Sequence, residues 1–330
     1  MTRAAPAVPT TLDLSRAADR ETLGPTAEGL SSASFERLTI DGEPHVIKRL
    51  SYDTDWVMRA VEDRGQPRVV RMFATGMFDR LPASIDTTLV AVAYDPRTGL
   101  AELLMRDVGD LFLRDDDPIT VDQHATVIDA MSQLHASTWG MTDDIGLTPP
   151  ASRWSALSPA FSRREGERGP LSGVPAALQP MWDRLADVDP PTHRVLLALA
   201  EDPTPLVEGL ASTPRALVHG DFKGGNLGLH PDGRVVLVDW AFPGIDAPCA
   251  DLAWYLAVNC DRMPESKEAT IDRYRTSLES HGIDTGGWWD RQLLLGLLGG
   301  AVQMAWSKAD QPEELAWWAA RVHEARALLP

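Results

Sequence analysis

Cysteine is almost missing from this chain of 330 residues, where only Cys249 and Cys260 occur. The pair has neither the spacing of a zinc site nor the numbers of a disulfide framework, which argues against a stapled secreted scaffold and suits a reducing cytoplasm. Basic side chains are also scarce: 31 Lys and Arg face 48 Asp and Glu, for a net charge of −17. Such a surface repels phosphate backbones and anionic lipid heads, so neither nucleic acid nor a membrane surface is an expected partner. A cationic small molecule is favoured, although the simpler role of the acidity is solubility. Long apolar runs are absent as well. Leu293 to Trp306 comes nearest, is interrupted by Gln303 and is too short to span a bilayer, so it predicts a buried helix. Residues 1–20, rich in Ala, Pro and Thr, lack the basic-then-apolar order of a signal peptide and read as a flexible tail.

What remains is ordinary globular material, long enough for about two domains and a substantial core. No internal repeat is visible. Phe35–Ile40 and Pro44–Leu50 flank Asp41-Gly42-Glu43 and predict a β-hairpin. Residues 53–64 have helical character and end before Gly65 and Pro67. Thr87–Tyr94 and Leu100–Met105 form another pair of apolar runs around Asp95-Pro96-Arg97-Thr98-Gly99. Thr120 and Gln123 have capping-box spacing and open a helix running to Gly140, with Val121, Ile128, Met131 and Leu134 on one face. Residues 141–175 are rich in Pro, Gly and Ser and predict an irregular loop. Helices dominate after 250, the last beginning at Pro312 with Leu315, Trp318 and Val322 inward. The chain is thus expected to be α+β, with a small antiparallel-sheet lobe over 21–106 preceding a larger, mainly helical lobe over 107–330.

The chemistry concentrates in residues 215–240. His219-Gly220-Asp221 leads through two glycines to Asn226, and two short strands then surround Pro231-Asp232-Gly233 before Asp239. A two-residue turn pairs Asn226 directly with Asp239, while a three-residue turn slips the register by one. Either way the two side chains lie within ~8 Å as cross-strand neighbours, with Asp221 at the same end. This convergence of oxygens, without His or Cys in a soft-metal arrangement, suits Mg²⁺, which takes one or two protein ligands and completes its shell with water and phosphate. A further carboxylate can orient an attacking hydroxyl, the division of labour in phosphoryl transfer.

His219-Gly220-Asp221 followed by Asn226 and Asp239 resembles the catalytic loop and metal-binding Asp of the aminoglycoside phosphotransferase and choline kinase superfamily, small-molecule kinases with a bilobal protein-kinase-like fold. The resemblance implies Asp221 as catalytic base, Asn226 and Asp239 as Mg²⁺ ligands, and His219 as a structural ring holding the loop. Asp-Phe-Lys-Gly-Gly-Asn also has the spacing of the protein-kinase catalytic loop, which implies a γ-phosphate contact for Lys223. Asp251-Leu252-Ala253 resembles an element whose Asp braces that loop from below. His135 matches a recurring Leu-His of the family and reads as a satisfied core histidine, and Asp246 reads as a solvated loop residue.

For the nucleotide, ATP with GTP left open, the resemblance implies a phosphate-covering loop at Gly29–Ser34, including Ser31, Ser32 and Ser34. It implies phosphate contact for Lys48, in preference to Arg49, in Val46-Ile47-Lys48. Either Glu62 or Asp63 is its expected acidic partner. Leu103 to Val108 resembles the inter-lobe hinge, with Arg106 and Val108 contributing backbone groups to adenine. Most of the eleven Trp are expected in the core, with one or two free to line the acceptor cleft. The implied activity is ATP- and Mg²⁺-dependent phosphorylation of a small-molecule hydroxyl by a monomer or homodimer. The implied acceptor is an antibiotic of aminoglycoside, nucleoside or macrolide type. A housekeeping kinase of a choline-like or sugar metabolite, and a catalytically silent nucleotide-binding regulator, are the alternatives.

Overall fold

The computed structural model describes residues 7–24, 33–61, 63–114 and 117–330. In chain order, β1 (Ala17–Leu23), β2 (Ser34–Ile40) and β3 (Glu43–Ser51) are followed by helices α1 (Trp56–Ala60) and α2 (Arg68–Ala74). Strands β4 (Ile85–Asp86), β5 (Leu89–Asp95) and β6 (Leu100–Arg106) complete the small lobe. Apart from β4, these strands form one antiparallel sheet in the order β1-β2-β3-β6-β5. The described part of the stretch read as a tail, residues 7–20, joins this lobe. Leu12, Leu14 and Ala17 pack on Leu38, Ile47 and Leu104, and the Leu12 N–H donates to Glu102 at 3.2 Å. Apolar residues at alternating positions give it something to bury.

The predicted helix over 53–64 is shorter than expected. Asp55 caps α1 by accepting the Val57 N–H, and α1 stops at Ala60; a second helix starts after Pro67, whose ring fits a helix start but not an interior. Strand β4 stands outside the small-lobe sheet and pairs in parallel with Val235 and Val236 of the large lobe, stitching the two lobes together.

The large lobe contains α3 (Val121–Ser137), α4 (Pro150–Ser155), α5 (Pro159–Gly166), α6 (Gly173–Val188), α7 (Pro190–Glu201) and α8 (Thr204–Ala211). Short strands follow: β7 (Ala216–Val218), β8 (Leu227–Leu229), β9 (Val235–Leu237) and β10 (Gly244–Asp246). Helices α9 (Cys249–Val258), α10 (Lys267–Ser280), α11 (Trp289–Met304) and α12 (Pro312–Ala325) end the chain. The capping box at Thr120 and Gln123 is formed at both hydrogen bonds, and Leu315, Trp318 and Val322 are buried on α12. The segment 141–175 corrects the expectation of a loop. Pro150 and Pro159 sit at the first positions of α4 and α5, and Ser158 caps α5 by accepting the Phe161 N–H, so these residues, which read as turn signals, are helix starts.

The apolar run at Leu293 is the buried helix α11, which lies against α9 so closely that a Cβ on Gly296 or Gly300 would stand 2.8 Å from Cys249 or Ala253. That contact fixes α9, and α9 in turn supports the site. Among the described residues no helix is long and apolar enough to cross a membrane.

Candidate active site

Between β7 and β8 the chain must turn sharply around His219. Gly220 takes φ +83°, and a Cβ there would stand 2.0 Å from Arg153 Nη1 and 2.7 Å from the Phe242 carbonyl, so only glycine fits. The His219 ring, fully enclosed, locks the loop at two points: Nδ1 accepts the Asp221 N–H at 3.2 Å and Nε2 donates to the Val238 carbonyl at 3.0 Å. Burial pushes its pKa down, which keeps the neutral tautomer that this pattern requires. Asp251, at the start of α9, accepts the His219 N–H at 2.8 Å and the Gly220 N–H at 2.7 Å. Its Oδ2 is 3.1 Å from His135 Nε2, and His135 Nδ1 lies 2.6 Å from the Tyr274 hydroxyl. Asp251 therefore braces the loop, and His135 is a satisfied core residue.

The turn at Pro231-Asp232-Gly233 has three residues, since β8 and β9 pair Leu227 with Leu237 and Leu229 with Val235. The register is thus the slipped one: Asn226 stands opposite Val238, whose N–H donates to the Asn226 carbonyl at 3.1 Å. Asp239 follows with φ +61°, a left-handed conformation that a non-glycine residue seldom adopts, and it swings the carboxylate back toward the cleft.

The three acid and amide positions singled out in the sequence, Asp221, Asn226 and Asp239, do converge, together with Lys48 and Lys223. Asn226 Nδ2 donates to Asp221 Oδ2 at 2.8 Å and to the Asp221 carbonyl at 3.0 Å. Lys223 Nζ is 3.6 Å from the same Oδ2. Lys48 Nζ reaches across from β3 to Asp239 Oδ1 at 2.7 Å. Burial works against the charge of Asp239, but the Lys48 ammonium holds its carboxyl below the ordinary range. Alternation along β3 distinguishes Lys48 from its neighbour. Arg49 points to the other sheet face and pairs with Glu36 at 2.7 Å and Glu102 at 2.8 Å. Arg20 and Arg49 together hold Glu36 down to about 2.

Of the two expected acidic partners of Lys48, only Asp63 belongs to the described residues, and it is turned away. Asp63 is buried and turned to Arg71 Nη2 at 2.9 Å and the Arg68 N–H at 2.9 Å, while Glu62 lies outside the described residues. The small-lobe acid that feels Lys48 is instead Asp55, the cap of α1, which burial pushes up and Lys48 pulls down. Gly29, Leu30, Ser31 and Ser32 also lie outside the described residues; Ser34 opens β2, next to Phe35, which pairs with Lys48 across the sheet. At the hinge, the Arg106 N–H donates to Thr88 and its guanidinium to Asp86. The Asp107 N–H donates to Pro44 at 3.0 Å, which leaves Val108 with the N–H not engaged by another described backbone group.

Three residues escaped the sequence reading. Asn259, buried just past α9, donates to the Phe222 carbonyl at 3.1 Å and accepts the Gly224 N–H at 3.0 Å. Trp254 donates its indole N–H to Asp221 Oδ1 at 2.9 Å. Arg153, 1% exposed, slips beneath the loop, donates to the Phe242 carbonyl at 2.7 Å and places Nε 3.4 Å from Asp246. Asp246 is therefore an enclosed counter-ion and not a solvated loop residue. Only Asp251 and the spacing along α9 carried a sequence signal for any of these.

The donor set fits a hard cation. With Nδ2 committed to Asp221, Asn226 Oδ1 accepts nothing from the described residues, and neither does Asp239 Oδ2. Among the described residues no three His, Cys, Asp or Glu gather into a metal cluster.

The model of a family described as the phosphotransferase enzyme family matches residues 49–282, well over half of the chain. No curated protein matches. Among solved structures, choline kinase LicA from Streptococcus pneumoniae is 13% identical, with 96% of this chain and 94% of that chain covered and a TM-score of 0.50. A thermostable mutant of aminoglycoside phosphotransferase APH(4)-Ia is 15% identical, with 95% of each chain covered and a TM-score of 0.48. Spectinomycin phosphotransferase APH(9)-Ia, in complex with ADP and spectinomycin, is 10% identical over 94% of this chain and 92% of that one, at a TM-score of 0.46. At 13% identity the likeness to the choline kinase speaks to the fold alone. The family match, over well more than half of the chain, shows that the chain belongs to the phosphotransferase enzyme family.

Proposed function

We propose that the protein is an ATP-dependent kinase that transfers the γ-phosphoryl group to a hydroxyl of a small molecule. The observation that carries the reading is the Lys48–Asp239 contact at 2.7 Å. Two residues from different lobes, 191 positions apart, meet in the cleft beside the hydrogen-bonded Asp221–Asn226 pair. A salt bridge serving stability alone has no reason to lie against a strained Asp and a carboxylate–amide pair.

In this reading Lys48, released from Asp239 when nucleotide enters, pairs with its α- and β-phosphates, and the Val108 N–H meets the adenine edge. Asn226 and Asp239 hold Mg²⁺, which neutralises charge on the phosphates when bound. Asp221 accepts a hydrogen bond from the acceptor hydroxyl and orients it; the new P–O bond forms as the bond to ADP breaks, and the hydroxyl proton passes to Asp221. Lys223, beside Asp221, is placed to follow the charge on the γ-phosphate. The phosphate-contacting role read for Ser31, Ser32 and Ser34 is kept in this proposal, with Ser34 at the start of β2. Positioning and charge neutralisation provide most of the rate.

The acceptor we favour is a hydroxyl-bearing antibiotic of aminoglycoside, nucleoside or macrolide type, with cationic members helped by the net charge of −17. The test is a coupled ATP-consumption screen with Mg²⁺ against such antibiotics, sugars and amino alcohols, repeated with GTP. An Asp221→Asn control keeps the size and one of the two accepted side-chain hydrogen bonds but cannot take a proton. It is expected to bind Mg·ATP almost normally while turnover falls ~10²–10⁴-fold. Near-normal turnover by the control would refute the assignment of the base. A hit only among choline-like or sugar metabolites would replace the antibiotic reading, and nucleotide binding without turnover on any acceptor would favour a silent regulator.

A further inference from the structure

Helix α9 runs along the catalytic loop and touches it residue by residue. Asp251 takes the N–H groups of His219 and Gly220, Trp254 donates to Asp221, and Asn259 holds Phe222 and Gly224. Asp251 and Trp254 are three residues apart and so project from neighbouring points on one face. Two of the three contacts hold backbone. Only Trp254 reaches a side chain, the carboxylate itself.

The terminal torsion of an aspartate is broad, so a carboxylate held at one oxygen still swings about that contact. Asn226 Nδ2 holds Oδ2 at 2.8 Å, with Lys223 Nζ a further 3.6 Å away from the same atom. The indole N–H of Trp254 holds Oδ1 at 2.9 Å. An indole has one donor and no acceptor, so it cannot compete with Asp221 for the proton of the acceptor hydroxyl. Trp254 is half-buried, while Asp221 is 6% exposed.

We infer that Trp254 is the positioning residue for the reacting carboxylate. Its indole fixes the carboxylate plane and leaves the second lone pair of Asp221 Oδ1 as the one that meets the acceptor hydroxyl. The inference rests on the proposed role of Asp221 as base and adds a specific group that pre-aligns it.

The test uses the full chain with Trp254→Phe, and a second protein carrying 3-benzothienylalanine at 254, which keeps the bicyclic ring but lacks the N–H. Mg·ATP hydrolysis with water as acceptor, Mg·ATP affinity by calorimetry, and indole ¹H–¹⁵N spectra are compared. Both variants are expected to lose kcat about 10- to 100-fold, with KM and affinity for ATP held within about twofold. The indole cross-peak missing from Trp254→Phe should also move upfield in Asp221→Asn, because its acceptor loses charge. Wild-type kcat in the benzothienyl protein, an equal loss of nucleotide affinity, or an unmoved indole resonance overturns the inference. If Asp221→Asn itself hydrolyses ATP normally, the base assignment fails, and the indole shift alone then decides whether the contact exists.

Discussion

Replacing Asp251 by Asn alters one atom and should cost the protein a large part of its stability. The side chain is 0% exposed, and its two oxygens accept the His219 N–H at 2.8 Å, the Gly220 N–H at 2.7 Å and a contact from His135 Nε2 at 3.1 Å. Burial opposes its charge, but His135 and its other partners hold the carboxyl below the ordinary range. An amide offers one acceptor oxygen and one NH₂, so whichever way it turns at least one enclosed N–H faces a donor. A buried donor left unpaired costs about 1–3 kcal/mol, and the surviving bonds lose the charge that makes them worth ~1.5–3 kcal/mol each. The total, about 3–5 kcal/mol, matches what is expected when one side of a buried charged contact is removed. At ~2–4 °C per kcal/mol for a chain of this order, Tm should fall by roughly 6–20 °C, measured by circular dichroism at pH 7. The sign with pH follows from the depressed folded pKa. The stabilisation is present above the unfolded value near ~3.9 and is lost as pH falls through the lower folded value, so the gap between the two proteins should close in acid. A Tm within about 2 °C of wild type at pH 7 would mean that the brace is not a stability element.

Lys48→Met should weaken Mg·ATP binding about 10- to 100-fold, the value of charge-assisted hydrogen bonds to phosphate, with the fold retained; calorimetry showing unchanged affinity would remove Lys48 from the nucleotide site. Gly220→Ala combines a left-handed φ of +83° with a Cβ 2.0 Å from Arg153 Nη1. It should destabilise by ~2–5 kcal/mol, and a denaturant midpoint close to wild type would show that the loop can relax around it.

The two-lobed architecture was legible in the order of hydrophobic periods, and the loop 219–226 with Asp239 was legible because phosphoryl-transfer chemistry requires those residue types close together in sequence. The hairpin turn even limited the register to two choices. Other features required the folded chain. Pro150, Ser158 and Pro159 serve equally well in loops and at helix starts, and only packing against the rest of the lobe decides which. Asp63, read with Glu62 as an alternative partner of Lys48, is enclosed by Arg68 and Arg71 of the helix that follows it, and Asp246, read as a solvated acid, by Arg153 from far away in the chain. Helix α9 looks in sequence like any buried helix. Its alignment along the catalytic loop, with Asp251, Trp254 and Asn259 meeting successive residues, depends on Gly296 and Gly300 letting α11 press it into place. Local sequence therefore determined which groups could do the chemistry. Contacts between residues far apart in the chain decided which partner each group meets, because burial and distance, unlike propensity, are properties of the assembled fold.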